Sequence, residues 1–388
     1  MCNLHTDQKI IYLDNAAGSF PKPESVYLAA DKAMRERGGN PGRSGHKLSL
    51  SAGRIVDEAR ILCARLFHAE SPENIIFTNN ATTALNIAIK GIIEPGDHVL
   101  TSSLEHNSVS RPLSHLENAG AEITKLPADL HSGLSVDSIK KAMRPNTKLL
   151  VCTHISNVTG TVNDIYSIGA FCREAGLVFL VDAAQSAGSK FIDVQCVDML
   201  AFPGHKGLLG PQGTGGLYIR RGLNLKTIIQ GGTGSGAETL FQPEALPWKF
   251  ESGTLNTPGL AGLAAGIQFI LEKGIEEIEK REIFLTGLLI EGLKNIKGIR
   301  LIGPDMDHNR GSLVSIHVEK TPSAEFALLM DAAFNIAVRG GLHCAADAHR
   351  SIGTLDRGGT VRISPNFFNT EEDINAFLNA LKLNAKGQ

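Results

Sequence analysis

Short β-branched runs alternate with amphipathic helical patterns from about residue 75 to residue 220, and this alternation constrains the fold more than any other feature. The apolar runs are NIIFT, HVLTS, AEITKLP, KLLVCTHI, LVFLVDAA, VDMLAFP and GGLYI. Strands that alternate with helices form a mostly parallel sheet flanked by helices. We therefore predict an α/β domain, in which ligands sit beyond the carboxyl ends of the strands.

The pattern changes after residue 262. Two long charged amphipathic helices follow, then the strand SLVSIHV, a further helix, the segments VRGGLHCA and TVRISP, and a last helix opened by the capping signature NTEED. We predict a large domain over residues 15–262 and a small α+β domain formed by residues 1–14 and 263–388. The segment 231–256, rich in Gly, Thr and Ser, is predicted to be a long functional loop.

Charge and cysteine usage exclude several classes of protein. Lysine and arginine number 38 against 40 aspartates and glutamates, a balance that argues against a nucleic-acid or membrane-surface binder. No apolar run is long enough to span a bilayer, and we expect a cytoplasmic location. The six cysteines contain no CxxC pair, so neither a disulfide framework nor a zinc ribbon is indicated.

Two residues near strand ends suggest cofactor chemistry. Lys206 lies between a short apolar run and a glycine-rich segment, in AFPGHKGLLGPQGTGG, and Asp182 closes the apolar run LVFLVD. A lysine that holds an aldehyde as a Schiff base, with a carboxylate that keeps a ring nitrogen protonated, is typical of pyridoxal phosphate sites. Taken alone, Lys206 is also compatible with a solvated loop lysine, and Asp182 with a helix N-cap.

A phosphate site and a ring-stacking residue can be placed in the same region. FTNNATTALNIAI combines a strand, a polar turn and a helix start, so Thr82, Thr83 and free amides could bind an anion. His106 follows the run HVLTSS, where an imidazole could stack on a flat ring. An ordinary Thr-capped helix and a structural histidine are the alternatives. GTGSGA, at 232–237, matches a dinucleotide fingerprint by letter but lacks its strand-to-helix context.

The segment RGGLHCAADAH places a cysteine where burial is difficult. A partly exposed thiol at Cys344, near Arg339 and His343, could ionise readily. The alternative is a metal cluster of four residues, His343, Cys344, Asp347 and His349. Arg362, in GTVRIS, offers a bidentate fork for a substrate carboxylate, unless it is a surface arginine.

Together these motifs resemble the class V aminotransferases, pyridoxal phosphate enzymes of fold type I, and among them the cysteine desulfurases and selenocysteine lyases. The matching segments span nearly the whole chain: YLDNAAGSFPKP, GNPGRSGHKLS, ATTALN, EHNS, HISNVTGTV, VDAAQSAG, GHKGLLGPQGTGG, FESGTLNT, RGGLHCA and VRIS. The resemblance implies a large domain around a mostly parallel seven-stranded sheet, with a smaller α+β C-terminal domain that carries a catalytic cysteine. It also implies pyridoxal 5′-phosphate as cofactor, and no metal.

The resemblance implies a role for each matching residue. Lys206 would hold the cofactor aldehyde, Asp182 would pair with the ring nitrogen, and His106 would stack on the ring. Further cofactor contacts would come from Gln185 at the ring hydroxyl, from Asn157, and, at the phosphate, from Thr82, Thr83, His205 and, across a homodimer interface, Thr254. The substrate-binding set would be Asn157, Arg362, Arg339, Arg43 and His46. Cys344 would receive the sulfur.

The implied reaction converts L-cysteine to L-alanine and leaves a persulfide on Cys344 for transfer to an acceptor protein. Two departures from the group II desulfurases bear on it: Pro203 replaces a serine and Leu342 replaces a histidine. They leave the preference for L-cysteine or L-selenocysteine open. The short interval between Cys344 and Arg362 suggests a compact loop into which the acceptor must reach.

Two other functions remain open at this point. The first is a selenocysteine lyase, or another class V lyase, epimerase or aminotransferase in which Cys344 is incidental. The second is a module without catalytic activity, which binds pyridoxal phosphate or only relays persulfide at Cys344.

Overall fold

A computed structural model describes residues 10–42, 44–236 and 238–386, and its centre is a seven-stranded sheet. The strands, in chain order, are β2 Ile75–Thr78, β3 His98–Ser102, β4 Glu122–Leu126, β5 Thr147–Thr153, β6 Val178–Asp182, β7 Met199–Pro203 and β8 Gly215–Ile219. Their order across the sheet is β2-β8-β7-β6-β5-β3-β4. Only β8 runs antiparallel to its neighbours. The predicted α/β fold with a mostly parallel seven-stranded sheet is confirmed.

Helices cover both faces of this sheet. They are α1 Glu24–Glu36, α2 Lys47–Phe67, α3 Ala81–Ile92, α4 Asn107–Asn118, α5 Val136–Ala142, α6 Ile165–Ala175 and α7 Thr257–Lys273. Along β6, Phe179 and Val181 belong to one apolar cluster and Leu180 to another. Because successive side chains of a strand point to opposite faces, a strand buried on both faces reads as a continuous apolar run.

A second group of elements forms a separate apolar core around Leu289, Ile316, Phe326 and Phe377. Its antiparallel sheet has the order β12-β13-β10-β9, built from β9 Ile299–Ile302, β10 Val314–Val318, β12 Arg339–Gly341 and β13 Thr360–Ile363. A two-stranded parallel sheet joins β1 Ile11–Tyr12 to β11 Ile336–Ala337. The helices are α8 Ile275–Lys294, α9 Ser323–Phe334, α10 Ala346–Ser351 and α11 Glu371–Lys386.

The start of α11 shows the reciprocal bonds of a capping box. The hydroxyl of Thr370 accepts from the amide of Asp373 at 3.2 Å, and the Asp373 carboxylate accepts from the amide of Thr370 at 3.0 Å. The acidic partner of Thr370 is therefore Asp373, the last residue of the predicted signature NTEED.

The proposed division of the chain at residue 262 falls within α7, whose residues Leu263 and Ile267 pack in the core of the large sheet. The domain limits therefore remain a prediction. Between 231 and 256 the described residues form neither helix nor strand. In the parts of the chain that the structure describes, no helix combines the length and the apolar character needed to cross a bilayer.

Candidate active site

A tight glycine turn after β7 positions Lys206. The amide of Gly204 donates to the carbonyl of Thr214 at 2.8 Å, and the carbonyl of Gly204 accepts from the amide of Gly210 at 2.7 Å. A Cβ atom on Gly207 would lie 2.5 Å from the carbonyl oxygen of Ala187, so a larger residue does not fit. The turn therefore holds Lys206 against the edge where β6 and β7 end.

The surroundings of Lys206 favour its neutral amine. Burial, and then the positive charge of Arg362, lower the pKa of Lys206 to about 8, while the carboxylate of Asp182 opposes this shift. A lysine with a lowered pKa is a better nucleophile near neutral pH because more of it carries a free electron pair.

Asp182 lies at the end of β6 and is 3% exposed. Its Oδ1 atom accepts from the amide of Ala184 at 2.9 Å. Burial raises the pKa of Asp182, and the Ala184 amide and the charge of Lys206 oppose this effect. The residues after Asp182 form turns rather than a helix, so the helix N-cap alternative is wrong. In the same turn, the side-chain amide of Gln185 donates to the carbonyl of Ala16 at 3.0 Å.

His106 precedes α4 and caps it. Its Nδ1 atom accepts from the amide of Ser108 at 3.1 Å, and the Ser108 hydroxyl lies 2.7 Å from the hydroxyl of Thr82. The starts of α3 and α4 therefore meet beside His106. Burial, and then the positive charges of Lys206 and Arg339, lower the pKa of His106 to about 4. Its ring is neutral near pH 7, which suits stacking on a flat ligand.

The start of α3 is capped by Asn80, so the alternative of a Thr-capped helix is wrong. The Oδ1 atom of Asn80 accepts from the amide of Thr83 at 2.9 Å and from its hydroxyl at 3.3 Å. The side chain of Thr82 is exposed, and the first amides of a helix are available to an external anion. His205 flanks Lys206, and burial, followed by the charge of Lys206, lowers its pKa to about 4.

Arg362 lies on β13 and is 1% exposed, so the surface alternative is wrong. One guanidinium nitrogen donates to Asp14 Oδ1 at 2.8 Å and another donates to the carbonyl of Asn157 at 3.2 Å. Its Nε atom is buried without a hydrogen-bond partner among the described residues. A buried, unpaired donor of this kind is rare and suits an anionic ligand.

The loop that carries Cys344 is held in an uncommon backbone conformation. His343 and Cys344 have φ values of 49° and 56°, a region that side-chain-bearing residues seldom adopt and that occurs at functional sites. The carbonyl of His343 accepts from the side chain of Asn157 at 2.8 Å, and the carbonyl of Cys344 accepts from the amide of Asn107 at 2.7 Å. These bonds fix the loop against the large sheet.

The thiol of Cys344 is exposed, whereas Cys63, Cys152 and Cys172 are buried. A guanidinium nitrogen of Arg339 lies 3.8 Å from the sulfur. The metal cluster alternative has no support in the described chain, where no three His, Cys, Asp or Glu side chains are grouped to hold an ion. Asp347 instead accepts from Lys125 at 2.7 Å.

Two of the predicted site residues that the structure describes are not joined to this cluster. His46 is exposed and caps α2, where its Nδ1 atom accepts from the amide of Ser49 at 3.2 Å. Thr254 is also exposed, and its hydroxyl accepts from Asn40 at 3.2 Å. Arg43 lies outside the described residues.

Sequence reasoning missed three residues that hold the site together. Asp14 pairs with Arg362 and Asn107 binds the Cys344 loop. Glu105, which precedes His106 in the chain, is buried and binds the amide of Thr153. Asp14 lies in the motif YLDNAAG and Glu105 in the motif LEHNS. Each is the one acidic residue of its motif, and this could have identified it from the sequence. The backbone contact of Asn107 left no such signal.

Comparison with known proteins places the chain among enzymes of one kind. The model of the family Aminotransferase class-V matches residues 11–377. A probable cysteine desulfurase of Methanothermobacter thermautotrophicus is 36% identical, over 94% of this chain and 92% of that protein. A cysteine desulfurase of Yersinia pestis is 31% identical, over 97% and 93%.

Solved structures give the same result. The apo structure of the cysteine desulfurase from Thermococcus onnurineus has a TM-score of 0.90 and 32% identity, and the match covers 98% of this chain and 95% of that chain. The cysteine desulfurase CsdA (S-sulfonic acid) from Escherichia coli has a TM-score of 0.87 and 29% identity, with 97% and 95% covered. The resemblance drawn from the sequence is confirmed, and the chain belongs to the class-V aminotransferase family, with cysteine desulfurases among its relatives.

Proposed function

We propose that this protein is a pyridoxal 5′-phosphate-dependent cysteine desulfurase, which converts L-cysteine to L-alanine and retains the sulfur as a persulfide on Cys344. One observation carries the proposal. Arg339 approaches the Cys344 sulfur to 3.8 Å, and its charge also lowers the pKa of Lys206. A cysteine thiol and a lysine amine of lowered pKa are therefore both influenced by one arginine, and sulfur removal from an amino acid requires both groups.

The residues present fit this cofactor. Lys206 has the lowered pKa that an aldehyde-binding amine needs, and Asp182 offers a buried carboxylate that would pair with the ring nitrogen. The neutral ring of His106 would cover one ring face, and the start of α3 would hold the phosphate with Thr82. When bound, the cofactor supplies an electron sink that stabilises negative charge on the substrate α-carbon.

The buried face of the pocket would orient the substrate. The free Nε atom of Arg362 and the side chain of Asn157 would bind the substrate carboxylate, while Asp14 keeps the guanidinium in place. This orientation would direct the substrate side chain toward Cys344. Lys206 would take the proton from the α-carbon, because its neutral amine is a base near pH 8.

The sulfur-transfer step would occur at Cys344. Its thiolate, next to Arg339, bonds to the substrate sulfur as the substrate carbon–sulfur bond breaks. The electron pair of that bond stays with the three-carbon fragment, which is protonated and leaves as alanine. The fixed loop keeps the persulfide at the pocket mouth, where an acceptor protein would collect it.

The experiment is a turnover assay on protein loaded with the cofactor. Wild-type protein is expected to release alanine from L-cysteine, and the peptide that contains Cys344 is expected to gain the mass of one sulfur atom. Cys344→Ser should abolish turnover, and the matched control Cys196→Ser, at a half-buried cysteine, should retain it. Full turnover by Cys344→Ser would rule out the persulfide route.

One feature favours L-selenocysteine as a second candidate substrate. Leu342 is 37% exposed and stands beside His343, whose imidazole is buried and bound to Thr360 at 3.0 Å. Burial lowers the pKa of His343 to about 2, so its imidazole is a weak proton acceptor. A substrate thiol needs an acceptor for its proton, whereas a selenol, which is already ionised near pH 7, does not. Parallel assays with both amino acids distinguish the two activities.

A homodimer with shared active sites, located in the cytoplasm, completes the proposal. Thr254 is exposed near a groove of about 820 Å³ lined in part by Leu50, Ile61 and Trp248. A second subunit would cover these apolar side chains and receive Thr254 at its own phosphate site. Thr254→Ala is expected to weaken cofactor retention while the dimer persists in light scattering. Unchanged retention would contradict this role of Thr254.

A further inference from the structure

Glu105 is a buried carboxyl group that the proposed mechanism does not use. It immediately precedes His106 and is 1% exposed. Its Oε1 atom accepts from the hydroxyl of Ser102 and, at 3.0 Å, from the amide of Thr153. Its Oε2 atom is buried and has no hydrogen-bond partner in the described part of the chain. A carboxylate would leave a negatively charged oxygen without a donor, which is costly in such surroundings.

The charged neighbour of Glu105 makes ionisation harder still. Asp182, at the end of β6, is a second acid, whereas Ser102 on β3 and Thr153 on β5 are uncharged hydroxyl residues. The Cys152 thiol of β5 is neutral because burial holds its pKa well above the ordinary value. Burial above all, with a further contribution from Asp182, raises the pKa of Glu105 to about 8, although its hydrogen bonds oppose this shift.

The two acids differ in what offsets their burial. Asp182 has the positive charge of Lys206 and the amide of Ala184, both of which lower its pKa. Among the groups that act on Glu105 in the described structure there is no cation. When two neighbouring acids compete, the one nearer a positive charge ionises first. Asp182 therefore takes the negative charge and Glu105 keeps its proton.

We propose that Glu105 is a neutral carboxylic acid that positions His106 and leaves Asp182 as the one anion of this pair. The positioning follows from connectivity. Glu105 ties its segment to β5 through Thr153, the next residue His106 caps α4, and Asn107 binds the Cys344 carbonyl. This inference deepens the proposed function. It rests on that function in one respect, namely that Asp182 has the cofactor as its partner.

Infrared spectroscopy of the cofactor-free protein tests the protonation state directly. Wild-type protein at pH 6 is expected to show the carbonyl stretch of a buried protonated carboxyl group, which disappears as the pH rises through about 8. Glu105→Gln should remove this band. Because burial also raises the pKa of Glu282, to about 7, Glu282→Gln identifies the band of that residue. If no band is lost in Glu105→Gln, or the wild type has none, the inference is wrong.

Urea unfolding of the same cofactor-free proteins gives a second measurement. A raised pKa means that folded Glu105 holds its proton between about pH 4.5 and 8 while the unfolded chain releases it, so stability falls as the pH rises through this window. The urea midpoint of Glu105→Gln minus that of the wild type should therefore increase as the pH rises to about 8. Above pH 8 this difference should stay constant. The control Glu117→Gln, at an exposed position of α4, should show the same pH dependence of the urea midpoint as the wild type. A constant difference for Glu105→Gln would refute ionisation in this window.

Turnover separates positioning from simple packing. Glutamine can still accept from Ser102 and Thr153, so Glu105→Gln should keep L-cysteine turnover near the wild-type level at pH 7. Glu105→Ala loses both bonds and should lower kcat by about a hundredfold, as expected for displaced site residues. Equal loss in both variants would contradict the inference. If wild-type protein releases no alanine, the proposed function fails, while the infrared and urea results still decide the state of Glu105.

Discussion

Replacing Asp14 with asparagine tests the buried pair that fixes Arg362. The carboxylate of Asp14 lies 2.8 Å from a guanidinium nitrogen of Arg362, and the two side chains are 20% and 1% exposed. Asparagine keeps the size and one acceptor oxygen but removes the negative charge. Arg362 would then retain a buried positive charge with only neutral acceptors, Asn157 and the new amide.

The size of the effect follows from this geometry. Removing one partner of a buried ion pair costs about 3–5 kcal/mol because the other charge is left uncompensated. The partial exposure of Asp14 and the acceptor that remains reduce the expected cost of Asp14→Asn to the lower limit of this range or just below it, about 2–3 kcal/mol of unfolding free energy. Loss of this charge also lowers the pKa of Lys206 further, since Asp14 is one of the groups that raise it.

Urea unfolding of the cofactor-free protein measures the stability change. Asp31→Asn is a matched control, because Asp31 also pairs with an arginine at 2.8 Å but with side chains 51% and 74% exposed. The control is expected to unfold with the wild-type midpoint, since exposed pairs contribute little. If Asp14→Asn matched this control, the argument that Arg362 depends on Asp14 for its charge balance would be refuted.

Three further predictions concern the amine, its turn and the cysteine loop. The rate at which cofactor-free protein captures pyridoxal 5′-phosphate should rise with pH and level off above about 8, where Lys206 is deprotonated. A rate that does not change between pH 6 and 9 would contradict this. The variant Lys206→Gln should show no covalent capture. Gly207→Ala forces a Cβ atom to within 2.5 Å of the Ala187 carbonyl and should abolish cofactor retention, whereas Gly38→Ala, with its nearest atom at 3.7 Å, should retain it. Thr360→Val removes the partner of buried His343 and should cost about 1–3 kcal/mol of unfolding free energy. Urea unfolding measures this against the control Thr239→Val, at an exposed loop position; equal midpoints would show that the bond contributes nothing.

Several site residues could be placed from sequence because strand ends are local signals. Asp182 and Lys206 each follow an apolar run, and parallel strands bring such ends to one edge of the sheet. The exposed state of Cys344 followed similarly from its glycine- and histidine-rich neighbours. The cap of α3 could not be assigned in the same way, because Asn80, Thr82 and Thr83 all offer a capping oxygen. Only the backbone geometry selects Asn80.

The sequence by itself determined the sheet, its helical cover and the edge that carries the candidate site. Alternating apolar patterns are formed by residues that are near one another in the chain, so they can be read without knowledge of distant contacts. Tertiary structure alone decided that Asp14 meets Arg362, that Asn107 and Asn157 hold the Cys344 loop, and that Glu105 lies beside Asp182. These contacts join residues far apart in the chain, and their charge states depend on how deeply packing removes each group from water. No local pattern of residues encodes that depth.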